Sequence, residues 1–207
     1  MNTKYENFEN ADVQQEEELN KASEEKRTIS QKLVDLVSIF ASSIIAIMLL
    51  FTFVFRVVGV SGPSMMNTLI DGDWLLVSAF ITEPERGDIV IITQPNSFGN
   101  EPIVKRVIAV GGDTIDIDFA TATVKVNGEA INEPYLGSPT TNDEFAWEYP
   151  LTLKEGQVFV MGDNRQHSTA SRSNDIGLIE EKYILGQVMV RFAPVNSIKF
   201  FGDYDYE

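Results

Sequence analysis

The chain has 207 residues and a mass of 23.1 kDa, with 43% apolar and 23% charged residues. This composition is typical of a globular protein and excludes a wholly disordered chain or a bundle of membrane helices. The formal net charge of -15 argues against nucleic acid as a partner, because an acidic surface repels phosphate. Without cysteine there are no disulfides, zinc–thiolate sites or cysteine nucleophiles, and a single histidine, His167, excludes a multi-histidine metal site.

The N-terminal quarter of the chain divides into an acidic tail and an apolar span. Residues 1–27 contain eight acidic and four basic residues and almost no large apolar ones, so residues 1–32 are predicted to be disordered. Residues 36–55 carry no charge, and as a helix they would extend about 30 Å, the thickness of a bilayer core. A transmembrane helix is therefore predicted over residues 33–58. A cleavable signal is disfavoured, because an acidic tail precedes the span and no A-x-A site follows it.

The basic residues beside the span predict its orientation. Lys26, Arg27 and Lys32 lie just before it, whereas Arg56 stands alone at its other end. The positive-inside rule then places the tail in the cytoplasm and residues 59–207 on the outer side of the cell membrane. The lipid bilayer is thus a predicted partner.

Residues 59–207 are predicted to be mainly β, as a coiled antiparallel barrel or sandwich. Short apolar runs alternate with turn residues, and Asn127-Gly128 is a strong hairpin signal. The predicted strands cover residues 74–80, 89–93, 103–110, 123–126, 129–131, 158–161 and 188–192.

One serine and one lysine are candidates for catalysis. Ser64 follows closely after the predicted span, and a serine hydroxyl needs a base to become nucleophilic. A lysine can serve as that base if burial lowers its pKa, which favours a lysine inside an apolar strand. Lys105 lies in such a strand, IVKRVI at 103–108, although a strand lysine can equally face solvent.

Several sequence blocks in a fixed order resemble the bacterial type I signal (leader) peptidases, which are membrane-anchored Ser/Lys endopeptidases. After the apolar span come GPSMMNTL at 62–69, GDWLLV at 72–77, RGDIVII at 86–92, IVKRVIAVGGD at 103–113 and MGDNRQHSTASR at 161–172. The single span and the short insert are similar to the Gram-positive members. The resemblance implies a β peptidase domain with a small inserted β cap at about residues 114–156, and no cofactor or metal.

The resemblance also implies roles for individual residues. Ser64 corresponds to the nucleophile and Lys105 to the general base of an acyl-enzyme mechanism. The Ser64 N–H would contribute to the oxyanion hole, and Gly62 stands where some relatives add a serine hydroxyl. Ser168 matches the serine that orients the lysine ammonium, and Arg172 matches a supporting arginine. The substrates would be secreted preproteins, with small P1 and P3 side chains in pockets walled by Val60, Met65, Leu69 and Ile103.

The sequence departs from the family pattern at two positions. Asn67 replaces a proline, and Ala170 replaces an aspartate that pairs in relatives with the arginine matching Arg172. The second change keeps open an alternative function, namely a weakened or inactive paralogue that binds preproteins as a scaffold. A self-cleaving repressor-type Ser/Lys protease is disfavoured by the membrane span. A penicillin-binding-type enzyme needs lysine three residues after the serine, where this chain has Asn67.

Overall fold

The structure is a computed structural model that describes residues 3–80, 83–93, 101–144 and 146–202, with residues 3–27 described as backbone only. The chain divides into two compact units, Met1–Leu50 and Phe51–Glu207. The first unit belongs to one helix, α1 (Thr3–Phe53), of which Thr28–Phe53 is long and apolar enough to cross a membrane.

The structure differs from the sequence prediction at both ends of this helix. The tail is helical from Thr3 onward rather than disordered, because residues 14–27 are mostly strong helix formers such as Gln, Glu, Lys and Ala. At the other end the helix stops at Phe53, and Phe55–Gly59 forms the first strand, β1. Val57 and Val58 in β1 are apolar enough to extend a hydropathy window, yet they are β-branched and pair with the next strand.

The second unit is mainly β and antiparallel, which confirms the predicted fold class. Its larger sheet has the strand order β1-β2-β11-β3-β4-β9-β10, with β12 paired to β11. The strands after β1 are β2 (Trp74–Ser78), β3 (Ile89–Ile92), β4 (Ile103–Ala109), β9 (Gln157–Met161), β10 (Ile179–Glu180), β11 (Ile184–Ala193) and β12 (Lys199–Phe200).

A smaller antiparallel sheet lies within residues 114–156, where a β cap was expected. Its order is β7-β6-β5-β8, formed by β5 (Thr114–Asp118), β6 (Thr123–Val126), β7 (Glu129–Ala130) and β8 (Leu151–Thr152). The predicted hairpin turn joins β6 to β7. Asn127 and Gly128 both have positive φ, at 55° and 87°, as a type I′ turn requires.

The apolar core supports the segment between β1 and β2. Met65 and Leu69, from that segment, are buried together with Leu75 of β2 and Ile91 of β3. Close packing of these side chains restricts the backbone around residue 64. The segment is therefore placed by the core of the large sheet, although it has no regular secondary structure across most of its length.

Candidate active site

Ser64 and Lys105 lie within hydrogen-bond distance of each other. The Lys105 Nζ lies 3.1 Å from the Ser64 Oγ and donates a hydrogen bond to it. Ser64 belongs to the segment between β1 and β2, and Lys105 belongs to β4, so two separate parts of the large sheet supply the pair. The 3.1 Å distance between the two side-chain atoms is short enough for direct proton transfer from a nucleophile to its base.

Burial makes Lys105 suitable as a base near neutral pH. Only 5% of the residue is exposed, and desolvation lowers the pKa of its ammonium from 10.5 to about 8. The negative charge of Asp163 acts in the opposite direction and raises this pKa, but less than burial lowers it. A substantial fraction of Lys105 is thus neutral at moderately alkaline pH, and only the neutral amine can accept a proton.

Three hydrogen bonds to main-chain groups hold the backbone around Ser64. The Asn164 N–H donates to the Ser64 carbonyl at 3.0 Å, and the Asn164 side-chain amide donates to the Pro63 carbonyl at 3.2 Å. Gly62 has a φ of +90°, a conformation that favours glycine, and its N–H donates to the Asp71 Oδ1 at 2.9 Å. The backbone is therefore held on the N-terminal side of Ser64, at Gly62 and Pro63, and at the Ser64 carbonyl itself.

The backbone N–H of Ser64 is available for a ligand. It has no hydrogen-bond partner within residues 3–80, 83–93, 101–144 and 146–202. The neighbouring Gly62 N–H, a possible second donor, is already bonded to Asp71. In this arrangement the Ser64 N–H is the better placed group to stabilise an oxyanion.

Ser168 lies close to the main chain of the nucleophile but is not hydrogen-bonded to Lys105. Its hydroxyl donates to the Thr169 carbonyl at 3.3 Å, so the expected hydrogen bond with the lysine ammonium is not formed. Gly162 separates Ser168 from the main chain of Ser64. A Cβ at residue 162 would collide with both the Ser168 hydroxyl and the Ser64 carbonyl oxygen, so only glycine fits there.

A buried ion pair beside the site was missed in the sequence. Arg106 donates through Nε to Asp163 Oδ1 at 2.9 Å and through Nη2 to Asp163 Oδ2 at 2.7 Å. The Thr68 hydroxyl also donates to this carboxylate, and the Arg106 guanidinium lies 3.9 Å from the centroid of the Tyr135 ring. Asp163 belongs to the block at 161–172 on which the family resemblance rests, and that membership was the available signal.

Arg172 is buried and is held by main-chain carbonyls. It donates to the carbonyls of Asn142 and Arg165, and its Nη2 lies 3.5 Å from the Glu144 Oε1. Burial lowers the pKa of its guanidinium, and the buried Nε has no hydrogen-bond partner in the described part of the chain. Ala170, where the family pattern has an aspartate, is fully buried in an apolar cluster.

An open groove of about 210 Å³ runs from Ser64 and Lys105 between two chain segments. The predicted pocket residues Val60, Met65 and Ile103 line it, but Leu69 does not. Leu69 is fully buried and packs against Val60 and Met65 in the core. The complete lining is Val58, Gly59, Val60, Ser61, Ser64, Met65, Ile91, Glu101, Pro102, Ile103, Val104 and Lys105.

Comparison with known proteins identifies the family of this chain. The family described as "Signal peptidase, peptidase S26" matches residues 33–193. A signal peptidase I of Bacillus licheniformis is 36% identical over 187 residues, which cover 86% of this chain and 98% of that protein. Signal peptidase I T of Bacillus subtilis (strain 168) is 37% identical over 156 residues, covering 71% and 78%.

Among solved structures, a signal peptidase I from Enterococcus faecalis V583 is similar to this chain at 29% identity. The match covers 52% of this chain and 98% of that one, with a TM-score of 0.41. The assignment rests instead on the family match, which includes the apolar span, Ser64, Lys105 and the block at 161–172. By sequence this chain belongs to the signal peptidase family, peptidase S26.

Proposed function

We propose that this protein is the membrane-anchored serine endopeptidase that its family membership indicates, with Ser64 as nucleophile and Lys105 as general base. Its substrates are secreted preproteins, from which it removes the signal peptide. The observation that carries the proposal is the 3.1 Å contact between the Ser64 Oγ and a lysine whose pKa burial lowers to about 8. Because this pair is intact, the alternative of an inactive scaffold has no support at the nucleophile itself.

The chemistry follows from the two side chains. Neutral Lys105 accepts the Ser64 hydroxyl proton while Oγ attacks the scissile carbonyl carbon, which gives a tetrahedral oxyanion near the Ser64 N–H. The oxyanion collapses to an acyl ester, and the Lys105 ammonium gives its proton to the departing amine. Lys105 then deprotonates a water molecule, which hydrolyses the ester and restores the serine.

The edge of β4 supports binding of an extended peptide. Residues 103–105 pair with β3 on one side, but pairing of β4 with β9 begins only at Arg106. Among the described residues, the other side of residues 103–105 therefore has no strand partner, and it borders the groove, where a substrate could add as a strand. Val60, Met65 and Ile103 line the groove near Ser64 and suit small apolar side chains at P1 and P3.

The apolar part of α1 suits an anchor in the cell membrane. Thr28–Phe53 meets the length and composition that a span requires, and the basic residues before it favour a cytoplasmic N-terminus. The peptidase unit then lies on the outer side, where preproteins emerge. Confinement of enzyme and preprotein to the same plane raises their effective concentration.

Cleavage of a preprotein by the full chain in detergent tests the proposal. Wild-type protein should shorten the precursor after a small residue, and Ser64→Ala should not. Ser78→Ala, which removes a hydroxyl on β2 outside the groove, is the matched control and should remain active. The kcat/KM of the wild type should rise with pH to a plateau, with its midpoint near 8, since Lys105 must be neutral. Equal cleavage by wild type and Ser64→Ala would refute the assignment.

A further inference from the structure

We infer that Glu101 gives the peptidase a preference for a basic residue at the fifth substrate position before the scissile bond. The inference rests on the proposed function and adds a specificity-determining residue to it. Glu101 lines the groove that begins at Ser64, and it is exposed to solvent. Of the residues that line the groove, only Glu101 and Lys105 have ionisable side chains, and the proposed chemistry employs Lys105.

The register of β4 indicates which substrate residue Glu101 meets. Glu101 precedes the first residue of β4 by two positions, and residues 101–105 line the groove without a break, so this stretch of chain forms one continuous wall of it. Lys105 and Ile103 both line the groove, as does Glu101 just before the strand begins. At about 3.3 Å per residue of extended chain, Glu101 lies at most about 13 Å from Lys105.

A substrate strand beside this edge advances by the same distance per residue. With the P1 residue at Ser64 and Lys105, the P3 residue lies beside Ile103 and the P5 residue beside Glu101. The groove extends from the catalytic pair along residues 58–61 and 101–104, both of which precede the catalytic residues in their own segments. Its walls therefore include the stretches of chain beside which an acyl-side peptide of this size would lie.

Glu101 forms no ion pair in the described part of the chain, so its negative charge is not neutralised there. The six ion pairs found there do not include it. Its carboxylate would attract a lysine or arginine at P5 and repel an aspartate or glutamate. Because the site is exposed, a Lys-to-Glu change at P5 should lower kcat/KM by about fivefold, which corresponds to about 1 kcal/mol. Salt should reduce the preference by screening.

Peptides that differ only at P5 test the inference with the full chain in detergent. Three peptides carry Lys, Gln or Glu at P5, and their kcat/KM values should fall in that order for wild type. The ratio between the Lys and Glu peptides should fall to near one in Glu101→Gln and invert in Glu101→Lys. Glu129→Gln makes the same chemical change on β7, outside the groove, and should keep the wild-type ratio.

Binding to Ser64→Ala separates this inference from the proposed function. The same three peptides should bind that uncleaving variant in the same order. If wild type cleaves all three at one rate and Glu101→Gln changes nothing, the role of Glu101 is wrong although the peptidase assignment stands. If the peptides bind in the expected order but Ser64→Ala cleaves as fast as wild type, the assignment of Ser64 fails and Glu101 stands. A second set of peptides that differ only at the fifth position after the bond should show no such order, and a charge effect there in place of the one at P5 would overturn the proposed direction of the substrate.

Discussion

Lys105 and Arg106 are neighbours on β4 and are almost equally buried, at 5% and 4% exposure, but their surroundings differ. Arg106 faces Asp163 and forms two hydrogen bonds with its carboxylate. Lys105 faces the Ser64 hydroxyl and has no ion pair among the described residues. Successive strand residues point to opposite sides, so one peptide step separates the two environments.

The difference shows how a fold can make one cation structural and the next one a base. A buried cation that forms two hydrogen bonds with a carboxylate is stabilised by that pair, which compensates much of the hydration energy lost on burial. Such a cation stays charged. A buried cation without that partner is instead driven towards its neutral form, as the lowered pKa of Lys105 shows. The Asp163 charge still raises the pKa of Lys105, so the structural pair also limits how far the base is shifted.

The largest expected effect comes from keeping a positive charge at residue 105. Lys105→Arg should lower kcat/KM by about 10³-fold or more, because a guanidinium stays protonated and cannot accept the Ser64 proton. Peptide cleavage at substrate concentrations well below KM measures the loss. Lys125→Arg on β6 is the matched control and should keep wild-type activity. An active Lys105→Arg enzyme would contradict the role of the lysine as base.

Removal of the structural cation should destabilise the fold. Arg106→Met leaves the Asp163 carboxylate buried without its main partner, and this should reduce the free energy of unfolding by about 3–5 kcal/mol. Denaturant unfolding of the detergent-solubilised chain measures the change. A loss below about 1 kcal/mol would mean that Thr68 and nearby groups alone can compensate the Asp163 charge.

Methionine in place of Lys105, the residue before Arg106, should instead raise the free energy of unfolding. The unfolded chain holds the Lys105 proton up to pH about 10.5, whereas the native protein releases it near 8, so stability rises with pH between these values. Below pH 8 the full cost of burying the ammonium is present. Lys105→Met should therefore stabilise the protein at pH 7 by on the order of 2 kcal/mol, and the gain should shrink as pH approaches 10.5.

Unfolding at pH 7 and pH 10 checks this third prediction. A gain that does not depend on pH would indicate better apolar packing of methionine rather than relief of a charge. A loss of stability would show that the Lys105 ammonium is compensated in the native state. Together with Arg106→Met, this variant tests whether the two neighbours on β4 differ in the way that their contacts indicate.

The sequence predicted most strands, and it brought Ser64 and Lys105 forward as a candidate pair, for identifiable reasons. Strands such as Ile89–Ile92 and Ile103–Ala109 are apolar runs bounded by turn residues, and Asn127-Gly128 requires a turn. The apolar strand around Lys105 suggested it as a base, and the order of the family blocks then distinguished it from an outward-facing lysine. Thr114–Asp118 was missed as a strand because its alternating aspartates, TIDID, resemble a polar loop.

The remaining features depend on contacts between distant residues. The Arg106–Asp163 pair joins positions 57 residues apart, and no spacing rule predicts such a partner. Leu69 was placed in a pocket wall, but core packing buries it behind Val60 and Met65. The hydroxyl of Ser168 was expected at Lys105, and its side-chain direction depends on the close approach around Gly162.

Arg172 is a third buried cation, and its partly satisfied guanidinium sharpens the comparison. Its Nη2 lies 3.5 Å from Glu144, farther than the 2.7 Å between Arg106 and Asp163, and its buried Nε has no partner in the described part of the chain. Ala170 stands where the family pattern has an aspartate. We expect a carboxylate at residue 170 to accept a hydrogen bond from this unsatisfied Nε.

The smallest expected effect is a gain from restoring that carboxylate. Ala170→Asp should stabilise the protein by about 1 kcal/mol through a charge-assisted hydrogen bond, and should raise kcat with little change in KM, since residue 170 is outside the groove. Melting temperature and peptide cleavage measure both effects.

Ala170→Asn is the matched control, because asparagine has nearly the same shape as aspartate but no charge. Its amide oxygen is a weaker acceptor for the Arg172 Nε. Burial of the amide in an apolar site should therefore lower the melting temperature. If Ala170→Asp is as destabilising as Ala170→Asn, the apolar cluster around residue 170 excludes a carboxylate, and Glu144 is then the working partner of Arg172. In that outcome Glu144→Gln should lower both stability and kcat.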